Sequence, residues 1–434
     1  MKRTLIKDLK EGKCKVAGFV EHIRDKKSMQ FVVLRDVSGA VQLTVIKEEN
    51  PQIAQVISSI SLHSFITVEG EYKKNEYVKL GGGELLPTSV VVESVAEPLP
   101  ITAEASQDLR LDYRWIDLRD EKKFFMFQVQ TAMEKYAFEY FTANDFIEIH
   151  TPKITGLSSE GGSEVFELKD YFGQKAYLTQ SPQLYKQMAM MAGFDKVFEI
   201  GEYFRANPSF TNRHDTEFTG IDVEISHIEN CEEVMKCEEE LIKYIVSNLN
   251  KNYGERYKVL FGKEMPSISV ESFPRITLSD AYKILKEEKN YVVPRSLKGD
   301  LDPEGERLIC EYAKEKFGSD FVFITDFPII ARAFYTKKKE SNPELGECYD
   351  LLYKGHEITS GAQREHRYAE LRERIIENGI NPDNMQEYLS FFKYGAPSHG
   401  GFGLGITRFL TKLFDLPTVK EITFLFRGPS RLYP

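Results

Sequence analysis

Three short stretches in the C-terminal three-quarters of the chain combine residue types that handle phosphates, flat rings and hard cations. The first joins Phe204-Arg205 to Arg213-His214 and to Glu217-Phe218-Thr219-Gly220-Ile221-Asp222-Val223-Glu224, with a polar loop between two β-like runs. A hairpin of this kind sets Arg205, at the end of one strand, opposite Phe218 on the other. A planar guanidinium fork suits a phosphate, and a phenyl face suits a base. An ordinary salt-bridged hairpin, with Arg205 paired to Glu224 or Asp222, explains the same residues. The second stretch is Gly400-Gly401-Phe402-Gly403-Leu404-Gly405-Ile406-Thr407-Arg408, opening the helical pattern RFLTKLFDL. Its glycines let backbone approach a ligand closely, although tight strand–helix turns need glycine for steric reasons alone. A dinucleotide-binding βαβ unit is excluded, because only 26 residues follow Arg408. The third stretch is Glu357-Ile358-Thr359-Ser360-Gly361-Ala362-Gln363-Arg364. Side chains alternate faces along a strand, so Glu357 meets Ser360 only if the strand bends before the glycine. That bend would aim two hard oxygen ligands at Mg²⁺ and bring Arg364 into the same cavity. A buried Glu–Arg pair is the competing reading.

The elements that must hold these residues fall into two groups. Residues 14–97 contain five short runs rich in Val, Ile, Phe and Thr, with turn signals at Ser38-Gly39 and Gly81-Gly82-Gly83. Between the third and fourth runs, Ile53, Val56, Ile57 and Ile60 have helical spacing. Five strands with that helix is the order of an OB-fold β-barrel, a binder of single-stranded nucleic acid. The Pro-rich stretch Glu97–Asp108 reads as a linker. An amphipathic helix is expected over Lys122–Thr142, with Phe125, Val129, Met133, Tyr136, Ala137 and Tyr140 on one face. Beyond it, strands and helices alternate irregularly, which disfavours a parallel doubly wound sheet. The expected class is α+β: an OB-fold over residues 1–100, a linker or hinge over 101–120, and a domain over 121–434 built on an antiparallel sheet with helices on one side.

Composition bounds the reading. With 434 residues, 41% hydrophobic and 29% charged, the chain suits a soluble globular protein of two or three domains. No apolar run approaches the roughly 20 residues that span a bilayer, and the first residues lack a secretory h-region, so a cytoplasmic, non-membrane protein is expected. Five scattered cysteines without CxxC spacing suggest neither disulfides nor a zinc site. The net charge is −10, yet residues 1–100 carry 14 Lys+Arg against 13 Asp+Glu. That contrast weakly favours the N-terminal part as the one that meets a phosphate backbone.

In order and spacing the three stretches resemble the signature motifs of class II aminoacyl-tRNA synthetases, with HTPKI around Pro152 as the first motif. SSEGGSEVFE, QSPQLYKQ, RHDTEFTGIDVEI, SGAQREHRY and HGGFGLG narrow the resemblance to aspartyl enzymes of the archaeal and eukaryotic type, of which this chain looks like a divergent copy. The resemblance covers essentially the whole chain. It implies that Arg205 clamps the ATP α-phosphate and Phe218 stacks under adenine. It also implies that His214 touches the outer phosphates and Arg408 covers the base or grips the γ-phosphate. Glu357 and Ser360 would hold Mg²⁺. Lys186 and Arg364 would face the carboxylate of L-aspartate, Asp222 and Glu160 its ammonium group, and Ser159 and Gln183 would complete the pocket. Two cations facing one small pocket are costly without an anion, so asparagine should bind poorly. In the OB-fold, Phe31 and Gln42 would meet anticodon bases, a buried barrel phenylalanine being the alternative for Phe31. Pro152 would lie in a homodimer interface. The implied activity is ATP-dependent formation of aspartyl-adenylate and transfer to tRNA, with or without the tRNA for asparagine. The alternatives are an asparagine–tRNA ligase, a paralogue making aspartyl-adenylate for another purpose, and a non-catalytic tRNA-binding module.

Three positions depart from the family pattern. Asn207 replaces the glutamate of FRAE, Thr407 replaces the acid before the third-motif arginine, and Gly428 stands in a shortened FPRDP. Weakened handling of ATP or of the tRNA acceptor end is the expected consequence.

Overall fold

A computed structural model describes residues 1–433 apart from 103, 157–164, 208–212 and 298. The described chain forms two compact units, Met1–Leu109 and Arg110–Pro434.

In the first unit, β1 (Gly12–Asp25), β2 (Met29–Asp36), β3 (Gly39–Ile46), β4 (Phe65–Lys74) and β5 (Gly83–Ser94) close into a barrel in the order β1-β2-β3-β5-β4. The helix Pro51–Ser59 lies between β3 and β4 with proline at its start, so the OB-fold order is present. The period-two pattern explains the closure: Val32 and Leu34 of β2 point inward with Val16, Val41, Leu43, Ile66, Val68 and Leu85. The intervening Phe31, Val33 and Arg35 stay on the outer face.

The second unit supplies β6 (Ile147–Glu148), β7 (Ile154–Thr155), β8 (Glu167–Tyr171), β9 (Gln174–Leu178), β10 (Lys196–Phe204), β11 (Glu217–Ser226), β12 (Arg275–Thr277), β13 (Phe321–Thr325), β14 (Cys348–Tyr353), β15 (His356–Arg364) and β16 (His399–Gly405). Eight of them form one sheet in the order β12-β13-β14-β15-β16-β11-β10-β6, and β7-β9-β8 form a small separate sheet. The six central strands are antiparallel, as expected, whereas the edge pairs β12–β13 and β10–β6 are parallel. The edge strands are two or three residues long and are reached by long connections, which frees them from hairpin geometry.

The expected long helix spans Glu121–Ala143, N-capped by Asp120, and all six residues assigned to its apolar face are buried. With the helix Cys231–Phe261 it covers one face of the sheet through Ile221, Val223, Phe402 and Leu404. Helices are not confined to that side. Leu278–Glu288 and Pro303–Phe317 pack against Val322, Ile324, Leu352 and Ala362, which point the other way. A short strand such as β13 (Phe-Val-Phe-Ile-Thr), apolar at both parities, is covered on both faces, and its continuous apolar run is the sequence mark of that.

One buried acid in this core titrates out of range. Glu238 is fully buried, and the Tyr349 hydroxyl donates to it at 2.6 Å. Burial pushes its carboxyl up to about 8, against the pull of Tyr349. Folding therefore takes up a proton: the contribution is fully present below the ordinary 4.5 and lost as pH rises to about 8. The stability of the wild type relative to Glu238→Gln should fall across that window and level off above it. Thermal unfolding at a series of pH values checks this, and parallel curves for the two proteins would refute it.

Candidate active site

The opposite face of the sheet floors a cavity of about 520 Å³ within the second unit. Residues from distant parts of the chain line it: Gln183 and Lys186 from the helix Gln183–Met191, Phe218 and Asp222 from β11, Glu357, Ser360 and Arg364 from β15, and Arg205, His214 and Arg408 from the segments around them. Strand register explains the convergence. Asp222 pairs with Gly403, Gly403 with Ser360, and Ser360 with Asp350, so the four lie in one row across β11, β16, β15 and β14. In β16 the alternation is complete: Gly401, Gly403 and Gly405 take the cavity side, while Phe402 and Leu404 enter the core. The cavity floor is open because from Gly401 to Gly405 that side of β16 carries no side chains.

At the phosphate-suited end, Arg205 follows β10 and its backbone N–H donates to Thr216 O at 2.9 Å. Its cross-strand partner is thus Thr216, and Phe218 lies opposite Tyr203. This corrects the expected register. The guanidinium still reaches over the Phe218 ring, at 5.3 Å from its centroid, because the long side chain leans along the strand. The salt-bridged alternative is not realised, since Asp222 and Glu224 are paired with other cations. His214 is held down to about 4 by burial and by Arg408, Arg205 and Arg213, so it is neutral at pH 7. Asn207 and Thr407 also line the cavity. Gly428 forms a turn with Arg431 beside Arg427, whose carbonyl accepts from Thr216 N–H at 3.1 Å.

The bend required in β15 is present. Leu351 pairs with Thr359 but Leu352 with Glu357, so Ile358 is an extra residue. The bulge shifts the alternation and brings Glu357 to the same face as Ser360. Glu357 is sunk in the cavity wall though 37% exposed to it. Desolvation and Asp350 push its carboxyl up to about 7 against Arg408, with Glu306 adding to the rise. Two carboxylates and an exposed hydroxyl in this arrangement fit a hard divalent cation, which would relieve their repulsion. Asp350, opposite Ser360 and ion-paired to Arg332 at 2.6 Å, was not singled out from the sequence. Its signal was a lone acid in the otherwise apolar run Tyr-Asp-Leu-Leu-Tyr.

At the end of the cavity lined by Lys186 and Arg364 the charges differ from the expectation. Lys186 and Arg364 do not await an anion. Lys186 Nζ lies 3.1 Å from Asp222 and 3.2 Å from Glu224, and it donates to the carbonyls of Val223 and Phe402 at 3.1 and 3.3 Å. Arg364 donates to both oxygens of Glu224, at 3.0 and 3.3 Å. Isolated buried cations would destabilise the fold, so the chain carries its own counterions. Burial raises the Glu224 carboxyl, but Arg364 and Lys186 outweigh it and hold the group below its ordinary value. In Asp222 burial wins over Lys186, and the pKa is raised. The four charges cancel. The Glu–Arg pair exists, but its acid is Glu224 rather than Glu357.

Ser159 and Glu160 lie outside the described residues. In the first unit, Phe31 is on the outer barrel face under the Arg24 guanidinium at 4.6 Å, so the buried-core alternative for it falls. Gln42 shares that face and donates to Thr44 at 3.1 Å; Thr44 in turn donates to Glu84, which also accepts from Asn75 at 2.7 Å. The contact between Thr44 and Glu84 was not legible in the sequence, because only barrel closure sets β5 beside β3. Pro152 is exposed. Among the described residues no helix is long and apolar enough to cross a membrane.

A largely antiparallel sheet with an arginine over an aromatic ring on one hairpin, a glycine-floored strand leading into Arg408, and a preceding OB-fold define a class II aminoacyl-tRNA synthetase. Residues 106–427 match the family described as tRNA synthetases class II (D, K and N), and residues 14–96 match the OB-fold nucleic acid binding domain. The chain belongs to that class II family. It is 41% identical to the aspartate–tRNA(Asp) ligase of Pyrococcus abyssi, over 99% of this chain and 98% of that one. It is 40% identical to the aspartate–tRNA(Asp/Asn) ligase of Aeropyrum pernix, over 98% and 96%. Among solved structures it is similar to asparaginyl-tRNA synthetase from Pyrococcus horikoshii complexed with asparaginyl-adenylate (TM-score 0.90, 30% identity, all of both chains). It is also similar to aspartyl tRNA synthetase from Entamoeba histolytica (TM-score 0.88, 32% identity, 100% and 93% covered).

Proposed function

We propose that the chain activates L-aspartate with ATP and transfers it to tRNA. The observation that carries this reading is the buried Lys186–Asp222–Glu224–Arg364 cluster at one end of a cavity whose other end holds Arg205, Phe218 and Arg408. Lys186 and Arg364 present a fixed positive edge to the substrate's side-chain carboxylate. Asp222 presents the matching negative edge to its ammonium group, with Gln183 beside them. Asparagine turns amide N–H donors toward the N–H donors of Lys186 and Arg364, where the carboxylate of aspartate brings only acceptors. By analogy with the family, Ser159 and Glu160 would also take part in substrate binding.

The α-carboxylate of aspartate attacks the α-phosphorus in line, and the bond to the leaving pyrophosphate breaks. Arg205 holds the α-phosphate and the Phe218 face receives adenine. Neutral His214 offers the outer phosphates a hydrogen bond, and Arg408 closes the site over the nucleotide. Catalysis of this kind is positioning and charge compensation, with no protein nucleophile. Bound Mg²⁺, held by Glu357 and Ser360 with Asp350 beside them, would neutralise developing charge on the phosphates. The adenylate's carbonyl then passes to a terminal tRNA hydroxyl, releasing AMP. The outer barrel face around Phe31 and Gln42 would receive anticodon bases. A cytoplasmic homodimer is inferred, with Pro152 in the interface. In support, Ile147 (49% exposed), Ile154 (42%) and, on the preceding long helix, Phe138 (43%) leave apolar surface uncovered.

Aspartate-dependent exchange of pyrophosphate into ATP, followed by charging of total tRNA, tests the reading, with sedimentation for the dimer. Arg205→Ala should lower exchange by about 10²–10³-fold, the usual scale for losing one transition-state donor, with little change in stability because the side chain is exposed. Exchange with asparagine but not aspartate would transfer the assignment to the amide. Exchange without tRNA charging would favour adenylate production for another purpose.

A further inference from the structure

The helix Pro303–Phe317 lies in the chain between the hairpin that carries Arg205 and Phe218 and the strand that carries Glu357, and belongs to neither, yet one of its side chains enters the site's framework. Glu306 is buried, and its Oε2 accepts from Arg213 Nη1 at 2.6 Å and from the backbone N–H of Glu357 at 3.4 Å. One carboxylate oxygen thus joins a cavity-lining cation of the second motif to the strand that carries the metal-suited carboxylate. Arg213 also donates from Nη2 to Gly355 O at 3.3 Å, in the turn between β14 and β15. That turn is pressed onto the same helix: Gly355 has φ +81°, and a Cβ there would stand 3.1 Å from Arg307 Cα. The helix therefore fixes the height of the turn, and through Glu306 it fixes where Arg213 and Glu357 stand relative to each other.

We propose that Glu306 is a positioning residue for the phosphate end of the site, holding Arg213 and the start of β15 in the arrangement that receives the outer phosphates of ATP. This rests on the proposed ATP-dependent reading of the cavity. A guanidinium has five N–H donors in a rigid fork, so it can keep Glu306 and still meet a phosphate. Without the carboxylate, the long Arg213 side chain must be ordered when the nucleotide binds, and that entropy weakens binding of phosphates only. The aspartate end is held by a separate set of charges, Lys186, Asp222, Glu224 and Arg364, and is left alone.

The test is pyrophosphate exchange by wild type, Glu306→Gln and Glu306→Ala at saturating Mg²⁺, with thermal unfolding of each. Glu306→Ala should raise KM for both ATP and pyrophosphate by about tenfold. KM for aspartate should stay within about twofold and the melting temperature should be little changed. Glu306→Gln, which keeps an acceptor of the same shape, should lie between wild type and Glu306→Ala, and it serves if the alanine variant does not fold. Unchanged or lower KM for ATP in both variants would overturn the proposal. So would a rise in all three KM values together with a lower melting temperature, which marks a merely structural glutamate. If the wild type itself shows no exchange with aspartate, the functional reading fails. Calorimetric titration of the same three proteins with ATP and Mg²⁺ then decides the role of Glu306 alone, equal affinities refuting it.

Discussion

Lys186→Leu is expected to abolish aspartate-dependent pyrophosphate exchange and, at the same time, to destabilise the second unit by about 3–5 kcal/mol, the usual result of removing one partner from a buried charge cluster. The two effects share a cause. Lys186 is 2% exposed and is the counterion of Asp222, which lines the cavity. Glu224 keeps Arg364 after the substitution, whereas Asp222 loses its ion-pair partner and its already raised pKa climbs further. The acid that should receive the substrate's ammonium group is then harder to ionise, and the edge that should meet the substrate's carboxylate loses a charge. Chemical denaturation gives the stability change, and exchange below the loss point of the fold gives the activity. Full exchange in a stable Lys186→Leu protein would remove the lysine from substrate recognition. Lys186→Met in an Asp222→Asn background separates the contributions, because it removes the orphaned carboxylate. That double variant should recover stability relative to Lys186→Leu but not exchange.

Gly401→Ala should be the most damaging single methyl in the cavity floor. A Cβ at Gly401 would sit 1.9 Å from Val223 O and 2.3 Å from Glu224 Oε2. Neither neighbour can step aside. The carbonyl belongs to the adjacent strand and accepts from Lys186, and the carboxylate is locked to Arg364 and Lys186. The strands must separate, at about 1–3 kcal/mol or more for overpacking alone, and the charge cluster above them is disturbed with them. A fall in melting temperature with loss of exchange beyond the unfolded fraction is expected. Native stability and activity in Gly401→Ala would show that β11 and β16 are less closely apposed than their register implies.

These two substitutions also mark how far the sequence could be read. In Gly401-Phe402-Gly403-Leu404-Gly405 glycine alternates with an apolar side chain, and period two accounts for Phe402 and Leu404 entering the core. The five-run pattern and the helical spacing around Ile57 sufficed for the OB-fold, and Phe125 to Tyr140 for the face of the long helix. Those features are local: each depends on neighbours within a turn or a strand. The bulge at Ile358 was legible only as a condition, because whether a strand carries an extra residue depends on the strand it pairs with.

What the sequence by itself determined is the inventory of the candidate site: Arg205, Phe218, Glu357, Ser360, Arg364 and Arg408 could be named from residue type and order, Lys186 and Asp222 from the family resemblance, and all of them line the cavity. What only the tertiary structure decided is how their charges are shared. Lys186 and Arg364 are neutralised by Asp222 and Glu224, Arg205 is left to its aromatic ring, and Glu306 reaches in from a helix outside the motifs. Ion pairing depends on distance in space, and the partners here stand 36 to 140 positions apart in the chain. No local pattern carries that information, because Coulomb energy and desolvation are settled only when the sheet has been assembled.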